Sequence, residues 1–375
     1  MRRIYLDYNA STPIAPRVAE VMRRMMGEAF GNPSSTHWAG QPARAAVETA
    51  RGHVATLLGC SPEEIIFTSG GSESNNLALK GLFFARRREH PHIITTQVEH
   101  PAIVEPCRFL ERLGARVTWL PVDGSGRVDP ENLQRAITGD TLLVSVMHAN
   151  NEVGTIQPIA ECAAIAREYG VPFHTDAAQS VGKIPTRVDD LGVDLLTLAG
   201  HKFYGPKGVG ALYVRAGTAL EPLIHGAPHE GGRRAGTESA LLTAALGEAC
   251  ALAGDLAPMQ AVRALRDHFR SAIAAELGDR VVFHGHPVQV LPNTLNLSFL
   301  GATGVEVLAG LEGVAASTGS ACHAGRVELS PVLRAMGVSP DIGQGTVRFS
   351  LGRETTAAEI DVVLRLIAGA SWRRR

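Results

Sequence analysis

The chain has 375 residues, of which 45% are hydrophobic and only 19% are charged, and its formal net charge is −1. This composition provides enough apolar surface for one large globular body or for two domains, and it excludes an extended basic surface of the kind that binds nucleic acids. No apolar stretch of membrane-spanning length is present, and the first residues (MRRIYLDYNA) contain no apolar signal core. We therefore expect a soluble cytoplasmic protein that acts without a membrane or a nucleic acid as its direct partner.

Helical and extended patterns alternate along the first two thirds of the chain. Short apolar runs typical of buried strands lie at residues 64–68, 92–96, 117–121, 142–148, 171–174, 195–199 and 210–214. Helix-length segments separate several of them, at residues 42–58, 72–87, 103–113 and 159–169. This alternation predicts an α/β fold with a mainly parallel sheet, whose ligand-binding loops lie at the carboxyl ends of the strands.

The pattern changes after about residue 255. A long helical segment at 259–277 is followed by strand-like segments at 281–284, 294–299 and 346–351 and by a closing helix at 357–368. We interpret this part as a smaller α+β domain.

Five cysteines are present without a close CxxC pair, so neither a disulfide framework nor a zinc site is suggested, and no metal is expected. Cys322 differs from the others, because residues 317–325 (STGSACHAG) are small, flexible and polar and predict a mobile loop. The other four stand among apolar residues, where buried and inert thiols are the ordinary expectation; they are Cys60, Cys107, Cys162 and Cys250.

Asp176 and Lys202 each follow or end a predicted strand. Asp176 ends the stretch that begins at residue 171, and Lys202 comes just after the run at 195–199. A third element is the sequence TSGGSESNN at 68–76, where a glycine turn at the start of a helix offers backbone N–H groups to a phosphate. A pyridoxal phosphate site needs a lysine, an anion cradle and an acid that keeps the pyridine nitrogen protonated. The three together indicate such a site.

The ordered motifs of the whole chain resemble those of the cysteine desulfurases, which are class-V relatives of the aminotransferases in pyridoxal-enzyme fold type I. The matching stretches are YLDYNASTP, GNPSSTH, TSGGSESNN, VEH, NNEVGTIQPI, HTDAAQSVGK, GHKFYGPKG, RAGT, STGSAC and RFSLGR. The resemblance implies a large domain at 13–255 with a mixed, mostly parallel seven-stranded sheet, and a smaller α+β domain at 1–12 and 256–375. It also implies a homodimer with two active sites at the subunit interface.

The resemblance further implies roles for individual residues. Lys202 would form the Schiff base with pyridoxal 5'-phosphate, and Asp176 would pair with the pyridine nitrogen. His100 would stack on the ring and carry protons, and Gln179 would bond to the phenolic oxygen. The other implied cofactor ligands are Gly71, Ser72, His201 and, from the second subunit, Thr237. The implied substrate ligands are Asn32, Asn151 and Arg348, and Asn151 would also contact the cofactor.

Two positions depart from the family pattern. Ala199 stands before Gly-His-Lys where many desulfurases have serine, so one hydroxyl contact to the phosphate is missing. Ala227 and Pro228 interrupt a stretch that is usually rich in glycine, and they leave the conformation of this inter-subunit loop open.

The implied reaction converts L-cysteine to L-alanine. The amine of Lys202 would remove the Cα proton, and the thiolate of Cys322 would attack the substrate sulfur and hold it as a persulfide. A flexible loop suits this role, because the persulfide must reach an acceptor protein such as an iron–sulfur scaffold or a sulfurtransferase, for cluster, thio-cofactor or tRNA biosynthesis.

Three alternatives are weighed against this reading. A selenocysteine lyase would use the same lysine, and the stretches LPNT, ACH and SPVL also resemble that branch; turnover of cysteine compared with selenocysteine separates the two. An aminotransferase would need a keto-acid acceptor, and the loop of Cys322 argues against it. An inactive sulfur-relay scaffold is disfavoured because lysine, aspartate, arginine and cysteine are all present.

Overall fold

The computed structural model describes residues 3–86, 88–323 and 326–370, and for 320–323 and 326–328 it describes the backbone alone. The strands of this part are β1 (Ile4–Tyr5), β2 (Ile65–Thr68), β3 (His92–Thr96), β4 (Arg116–Leu120), β5 (Thr141–Ser145), β6 (Phe173–Asp176), β7 (Leu195–Ala199), β8 (Gly210–Val214), β9 (Val281–His284), β10 (Thr294–Phe299), β11 (Val314–Ala315), β12 (Ser317–Thr318), β13 (Ser320–His323), β14 (Arg326–Leu329) and β15 (Thr346–Ser350).

The α-helices of the described part are α1 (Pro16–Glu28), α2 (Gln41–Leu58), α3 (Gly71–Ala85), α4 (Pro101–Arg112), α5 (Pro130–Ala136), α6 (Ile159–Glu168), α7 (Val188–Leu191), α8 (Ala240–Ala253), α9 (Pro258–Leu277), α10 (Gly304–Ala309), α11 (Pro331–Ala335), α12 (Pro340–Gly343) and α13 (Ala357–Gly369).

A seven-stranded sheet of order β2-β8-β7-β6-β5-β3-β4 forms the centre of the molecule. Strand β8 is antiparallel to both of its neighbours, and the other pairs are parallel. All residues of β3, β5, β6 and β7 are buried, as expected for strands covered on both faces. The prediction of a mixed, mostly parallel seven-stranded sheet is therefore confirmed.

The strand predicted at 171–174 begins two residues later, at Phe173. Pro172 has no backbone N–H and cannot donate to the ladder, so it stays outside the strand. As a result β6 extends to Asp176, which is the last residue of the strand. The carboxylate is thus held by the sheet itself at its carboxyl edge.

Helices cover the two faces of this sheet with separate apolar clusters. On one face, α2 and α8 pack through residues such as Val47, Val54 and Leu246. On the other face, α3 and α4 bury residues such as Leu79 and Leu110 against β3, β5 and β8. These helices follow β2 and β3, whose carboxyl ends therefore open onto the loops that begin α3 and α4.

A second sheet of order β12-β15-β10-β9 lies in the C-terminal part, and α9 and α13 pack against it. Its apolar cluster contains Phe269, Phe299 and Phe349, and it also includes Ile4 and Leu6 from the N-terminal segment. This separate core supports a division of the chain at residues 12 and 255, which stays a prediction.

The stretch 317–325, predicted as a loop, contains strands instead. Ser317 pairs with Arg348 of β15, and β13 pairs with β14, so that Cys322 lies opposite Val327. The loop prediction rested on local composition, whereas β12 pairs with the distant strand β15 and β13 pairs with the neighbouring strand β14. Composition reveals neither pairing. Ala324 and Gly325 lie outside the described residues.

No single helix within the described residues is both long and apolar enough to cross a membrane. Taken as a pair, residues 240–253 and 258–280 reach that length and composition, but they are bent by 71° relative to each other.

Candidate active site

A cavity of about 290 Å³ opens at the carboxyl edge of the central sheet. Strand β6 ends there, and the loops that follow β2, β3, β5 and β7 all reach it, since parallel strands end at the same edge. The cavity is lined by Gly71, Ser72, Asn75, His100, Ala102, Met147, Ala149, Asn151, Asp176, Ala178, Gln179, Ala199, His201 and Lys202. Eight of the residues predicted for the site are in this set.

Lys202 lies on a short 3₁₀ turn directly after β7. Its Nζ donates hydrogen bonds to the carbonyl oxygens of Asn9 at 2.8 Å and Ala10 at 3.0 Å. The pKa of this lysine is lowered to about 8, first by burial and then by the positive charge of Arg348, although Asp176 opposes the shift. A substantial fraction of the amine is therefore neutral near physiological pH, as a nucleophile or a base requires.

Asp176 is buried at the end of β6. One carboxylate oxygen accepts a hydrogen bond from Asn75 Nδ2 at 2.7 Å, and the other accepts one from the backbone N–H of Ala178 at 2.9 Å. These two hydrogen bonds fix the orientation of the carboxylate. The opposite end of the Asn75 amide, Oδ1, is buried without a hydrogen-bond partner among the described atoms.

His100 is the N-cap residue of α4. Its Nδ1 accepts a hydrogen bond from the backbone N–H of Ala102 at 3.1 Å, so the neutral ring carries its proton on Nε2. Desolvation lowers the pKa of His100, the nearby charge of Lys202 lowers it as well, and Asp176 acts in the opposite direction. The ring is therefore neutral and keeps one exchangeable N–H.

The start of α3 forms one end of the cavity. The first N–H groups of a helix have no intrahelical acceptor, and Gly71 and Ser72 are the first two residues of this helix. A Cβ on Gly71 would lie 3.3 Å from the Cβ of Ala199, so the lining is narrow at this point. His201 lies at the same end, and burial together with Lys202 and Lys207 lowers its pKa to about 4.

Arg348 reaches the site from β15 without lining the cavity itself. Its Nη1 donates to the carbonyl oxygen of Asn151 at 2.8 Å, and its Nη2 donates to Asp7 Oδ1 at 2.7 Å and to Ser317 Oγ at 3.0 Å. Nε is buried without a hydrogen-bond partner among the described atoms. The N-terminal segment and the second sheet therefore meet at this guanidinium.

Two further predicted site residues, Asn32 and Thr237, do not line the cavity either. Asn32 is exposed, and its Oδ1 accepts a hydrogen bond from the N–H of Ser34 at 2.9 Å. Thr237 is exposed on the loop that follows Arg234. The side chain of Cys322 lies outside the described part of the structure, so its predicted role stays a prediction.

One bidentate ion pair and one backbone hydrogen bond hold the loop around Ala227 and Pro228. Glu230 has a left-handed backbone with φ of 50°, which is unfavourable for a non-glycine residue, and its side chain is buried. Both nitrogens of the Arg51 fork donate to it at 2.9 Å, and the N–H of Phe67 donates as well at 2.9 Å. These contacts bind the loop to α2 and β2 despite the departure from the glycine-rich pattern.

The other cysteines differ in burial but share one direction of pKa shift. Cys107, Cys162 and Cys250 are buried and Cys60 is half-buried. Burial raises the pKa of all four thiols, to about 12 for Cys60 and Cys162. Such thiols are protonated at neutral pH and are poor nucleophiles, as predicted from their apolar surroundings.

Sequence reasoning named no role for four residues that complete the site. Asn75 holds Asp176, and Asp7 holds Arg348. Asn9 and Lys183 contact Gln179. The family motifs in the sequence contain all four residues, Asp7, Asn9, Asn75 and Lys183, and these motifs could have marked them as site candidates. The sequence does not show which residues they contact.

Comparisons with known proteins agree with this geometry. The model of the class-V aminotransferase family matches residues 4–363. The chain belongs to this family. A protein named cysteine desulfurase IscS from Dictyoglomus turgidum is 48% identical over 372 residues, which cover 98% of this chain and 94% of the relative.

Solved structures place the chain in the same branch of the class-V aminotransferases. A NifS-like protein superposes with a TM-score of 0.92 at 38% identity and covers 98% of both chains. The structure of SspA in complex with cysteine has a TM-score of 0.84 at 40% identity, and the match covers 94% of this chain and 100% of that one. The predictions of the family, of its fold and of a pyridoxal-phosphate-dependent cysteine desulfurase are confirmed.

The residues of the cavity fit pyridoxal phosphate, on which this family depends. The site combines a lysine of lowered pKa as nucleophile, a buried carboxylate as acceptor and the N–H groups at the start of a helix as donors. These are the three kinds of group that the cofactor needs. Gly71 supports the fit, because a side chain at this position would crowd Ala199 where the helix begins. Close approach of a phosphate to the helix N-terminus requires this space.

Proposed function

We propose that this chain converts L-cysteine to L-alanine and transfers the sulfur to Cys322 as a persulfide. The observation that carries the proposal is the convergence of Lys202, Asp176 and the start of α3 on one cavity. The relative from Dictyoglomus turgidum is named a cysteine desulfurase, and the related structure of SspA contains cysteine.

The cofactor would be held by the same three elements. Lys202 would bind it covalently, Asp176 would pair with its pyridine nitrogen, and the N–H groups of Gly71 and Ser72 would bind its phosphate together with His201. Since Ala199 offers no hydroxyl, backbone N–H groups bear more of the phosphate contact. When bound, pyridoxal phosphate supplies an electron sink for the negative charge that develops on the substrate carbon.

Arg348 and Asn151 would bind the substrate carboxylate, with Asn32 as a further ligand. The guanidinium is oriented by Asp7 and by the Asn151 carbonyl, and Nη1 carries a second N–H beyond its bond to that carbonyl. Binding of a carboxylate here neutralises the charge that lowers the pKa of Lys202. The proton affinity of the Lys202 amine therefore rises when substrate arrives, which suits its function as a base.

Proton transfer would involve Lys202 and His100. The neutral Nζ of Lys202 takes the proton from the substrate Cα. His100 is neutral with its proton on Nε2, and it can donate or return a proton at this atom. The lowered pKa of His100 keeps its ring neutral, and the lowered pKa of Lys202 increases the neutral fraction of its amine.

The sulfur transfer is balanced without a further oxidant. The Cys322 thiolate forms an S–S bond to the substrate sulfur while the C–S bond of the substrate breaks, and a proton completes L-alanine. The products are L-alanine and the Cys322 persulfide, and the net reaction consumes only L-cysteine and the thiol.

Three further features belong to the proposal. The active protein is a homodimer, in which Thr237 reaches the phosphate site of the second subunit; the exposure of Thr237 in one chain is consistent with this. An acceptor protein, either an iron–sulfur scaffold or a sulfurtransferase, receives the persulfide. The reaction takes place in the cytoplasm without a membrane or nucleic acid.

The test measures alanine and sulfide released from L-cysteine in the presence of a thiol reductant. Cys322→Ala should keep the visible absorbance of bound cofactor and lose alanine formation, whereas the matched control Cys60→Ala should keep both. Full alanine formation by Cys322→Ala removes this residue from the mechanism. Turnover of selenocysteine without turnover of cysteine would replace the proposal by a selenocysteine lyase.

A further inference from the structure

Lys183 is a buried lysine one turn beyond Gln179. Only 8% of its surface is exposed, and no described acidic residue forms an ion pair with it. Its Nζ donates to Gln179 Oε1 at 2.7 Å and to Asn9 Oδ1 at 3.3 Å. A buried ammonium without a carboxylate partner is costly, so its position next to a cavity residue calls for an explanation.

The two partners of the Gln179 amide determine its orientation. Nε2 donates to the backbone carbonyl oxygen of Asn9 at 2.9 Å, and Oε1 accepts from Lys183. The opposite orientation would place the amide oxygen against a carbonyl oxygen and the amide nitrogen against an ammonium. The carbonyl of Asn9 and the N–H groups of Lys183 therefore both favour the observed orientation of the amide.

This orientation leaves one N–H of Gln179 for the cavity. Nε2 has two hydrogens, of which one is bound by the carbonyl of Asn9, and the side chain lines the cavity. Oε1 is turned toward Lys183, and the second hydrogen of Nε2 stays free for a partner in the cavity. A donor suits an anionic or electron-rich oxygen, such as the phenolic oxygen of the cofactor, and an acceptor would repel it.

We propose that Lys183 is a positioning residue that makes Gln179 a hydrogen-bond donor toward the cofactor. The inference rests on the proposed function, because Gln179 is assigned to the phenolic oxygen there. Burial lowers the pKa of Lys183 well below its ordinary value, with contributions from Lys202 and Arg348. Both the charged and the neutral amine have N–H groups, so the bond to Gln179 survives either protonation state.

The Asn9 carbonyl connects this arrangement to Lys202. It accepts from Gln179 Nε2 at 2.9 Å and from Lys202 Nζ at 2.8 Å. The Asn9 side chain is buried and is itself fixed by Thr294 and Asn293 of the C-terminal part. Gln179 and Lys202 thus share the Asn9 carbonyl, while Lys183 donates to the side-chain Oδ1 of the same residue. A change at Lys183 reaches the cavity through Gln179.

The test is a double-mutant cycle on the affinity of the apoprotein for pyridoxal phosphate. Methionine matches the length of the lysine stem and has no donor, so Lys183→Met should weaken binding by about tenfold, the value of one hydrogen bond. Gln179→Ala should weaken binding too. In the Gln179→Ala background, Lys183→Met should have almost no further effect, because the residue acts through Gln179.

The control is Lys80→Met, which removes a half-buried lysine of α3 that contacts Phe109 and does not line the cavity, and it should change the affinity by less than about twofold. The visible spectrum of the reconstituted protein is a second readout. Lys183→Met should shift the pH midpoint of the cofactor band, and the Gln179→Ala background should abolish this shift. A purely structural role would lower the thermal unfolding temperature and leave the midpoint unchanged.

Equal losses in both backgrounds would show that Lys183 acts through its charge and not through Gln179, which overturns the inference. Wild-type affinity and spectrum in Lys183→Met overturn it as well, while alanine release by the same variant leaves the proposed function intact. If Lys183→Met does not fold, Lys183→Leu lacks the donor equally and takes its place in the cycle.

Discussion

Lys202 Nζ donates a 2.8 Å hydrogen bond to the carbonyl oxygen of Asn9, although 193 positions separate the two residues. The N-terminal segment therefore closes the active site from the side of the C-terminal core, and it holds the lysine before any cofactor is attached. The same carbonyl accepts from Gln179. The positions of Lys202 and Gln179 therefore depend on a segment whose side chains do not line the cavity.

The rate at which apoprotein attaches pyridoxal phosphate should depend on the pKa of Lys202. Its pKa is lowered to about 8, first by burial and then by Arg348. Only the neutral amine attacks, so the rate should rise about tenfold per pH unit below this value and level off above it. Stopped-flow absorbance over a pH series measures the midpoint.

Arg348→Gln should move this midpoint upward. The arginine disfavours the protonated lysine, and its removal also frees Asp7, whose charge favours protonation. Both changes raise the pKa of Lys202. Arg108→Gln, which removes an exposed arginine, is the control and should leave the midpoint near 8. A midpoint for Arg348→Gln that stays in place or falls contradicts this account of the electrostatics.

Asp176→Asn should reduce the kcat of alanine formation by at least about hundredfold. The amide has no negative charge to keep a pyridine nitrogen protonated, and its NH2 group would face either the N–H of Ala178 or the NH2 of Asn75. The exposed Asp341→Asn is the control. Steady-state alanine assays on protein with measured cofactor content decide the matter, and an unchanged kcat at full occupancy would remove Asp176 from the mechanism.

The pair Arg51 and Glu230 should contribute strongly to stability. The side chains are 11% and 1% exposed, and Glu230→Ala leaves the arginine buried without its partner and the N–H of Phe67 without an acceptor. We expect a loss of about 3–5 kcal/mol in the free energy of unfolding, measured by urea denaturation. Breaking the exposed pair with Glu105→Ala should cost less than about 1 kcal/mol. Equal losses of unfolding free energy in Glu230→Ala and Glu105→Ala would mean that burial does not determine how much an ion pair contributes to stability.

His174 should make the protein less stable in acid. Burial lowers the pKa of this histidine to about 3, so the ring stays neutral in the folded state while the unfolded chain binds a proton below about pH 6.5. Because the unfolded state then holds more protons, stability falls as the pH drops through this window, by roughly 3 kcal/mol at pH 4 from this group alone.

The variant His174→Gln should therefore show a flatter decline of unfolding free energy between pH 6.5 and pH 4 than the wild type. Its loss of the bonds to Ser145 and Thr197 lowers stability at all pH values, so the slope and not the level is compared. The exposed His37→Gln should keep the wild-type slope. Parallel curves for His174→Gln and wild type would exclude this histidine as the acid-sensitive group.

Much of the fold was predictable because its strands are short and uniformly apolar. The runs at 92–96, 195–199 and 210–214 coincide with β3, β7 and β8. Asp176 and Lys202 were predictable for the same reason, since each lies at or just beyond the end of such a run. Two local predictions differ from the structure: the start of β6, which Pro172 delays, and the loop at 317–325, part of which pairs with β15 and β14.

The sequence by itself determined the class of the sheet, the family motifs and the residues at the carboxyl ends of the strands, because hydrophobic periodicity and short motifs are local properties. The tertiary structure alone determined the pKa values and the orientations of the site residues. The pKa of Lys202 depends on burial and on Arg348, and the orientation of Gln179 depends on Lys183 and on the carbonyl of Asn9. Burial and charge act through distances in space, and these distances exist only after the N-terminal segment has packed between the two cores.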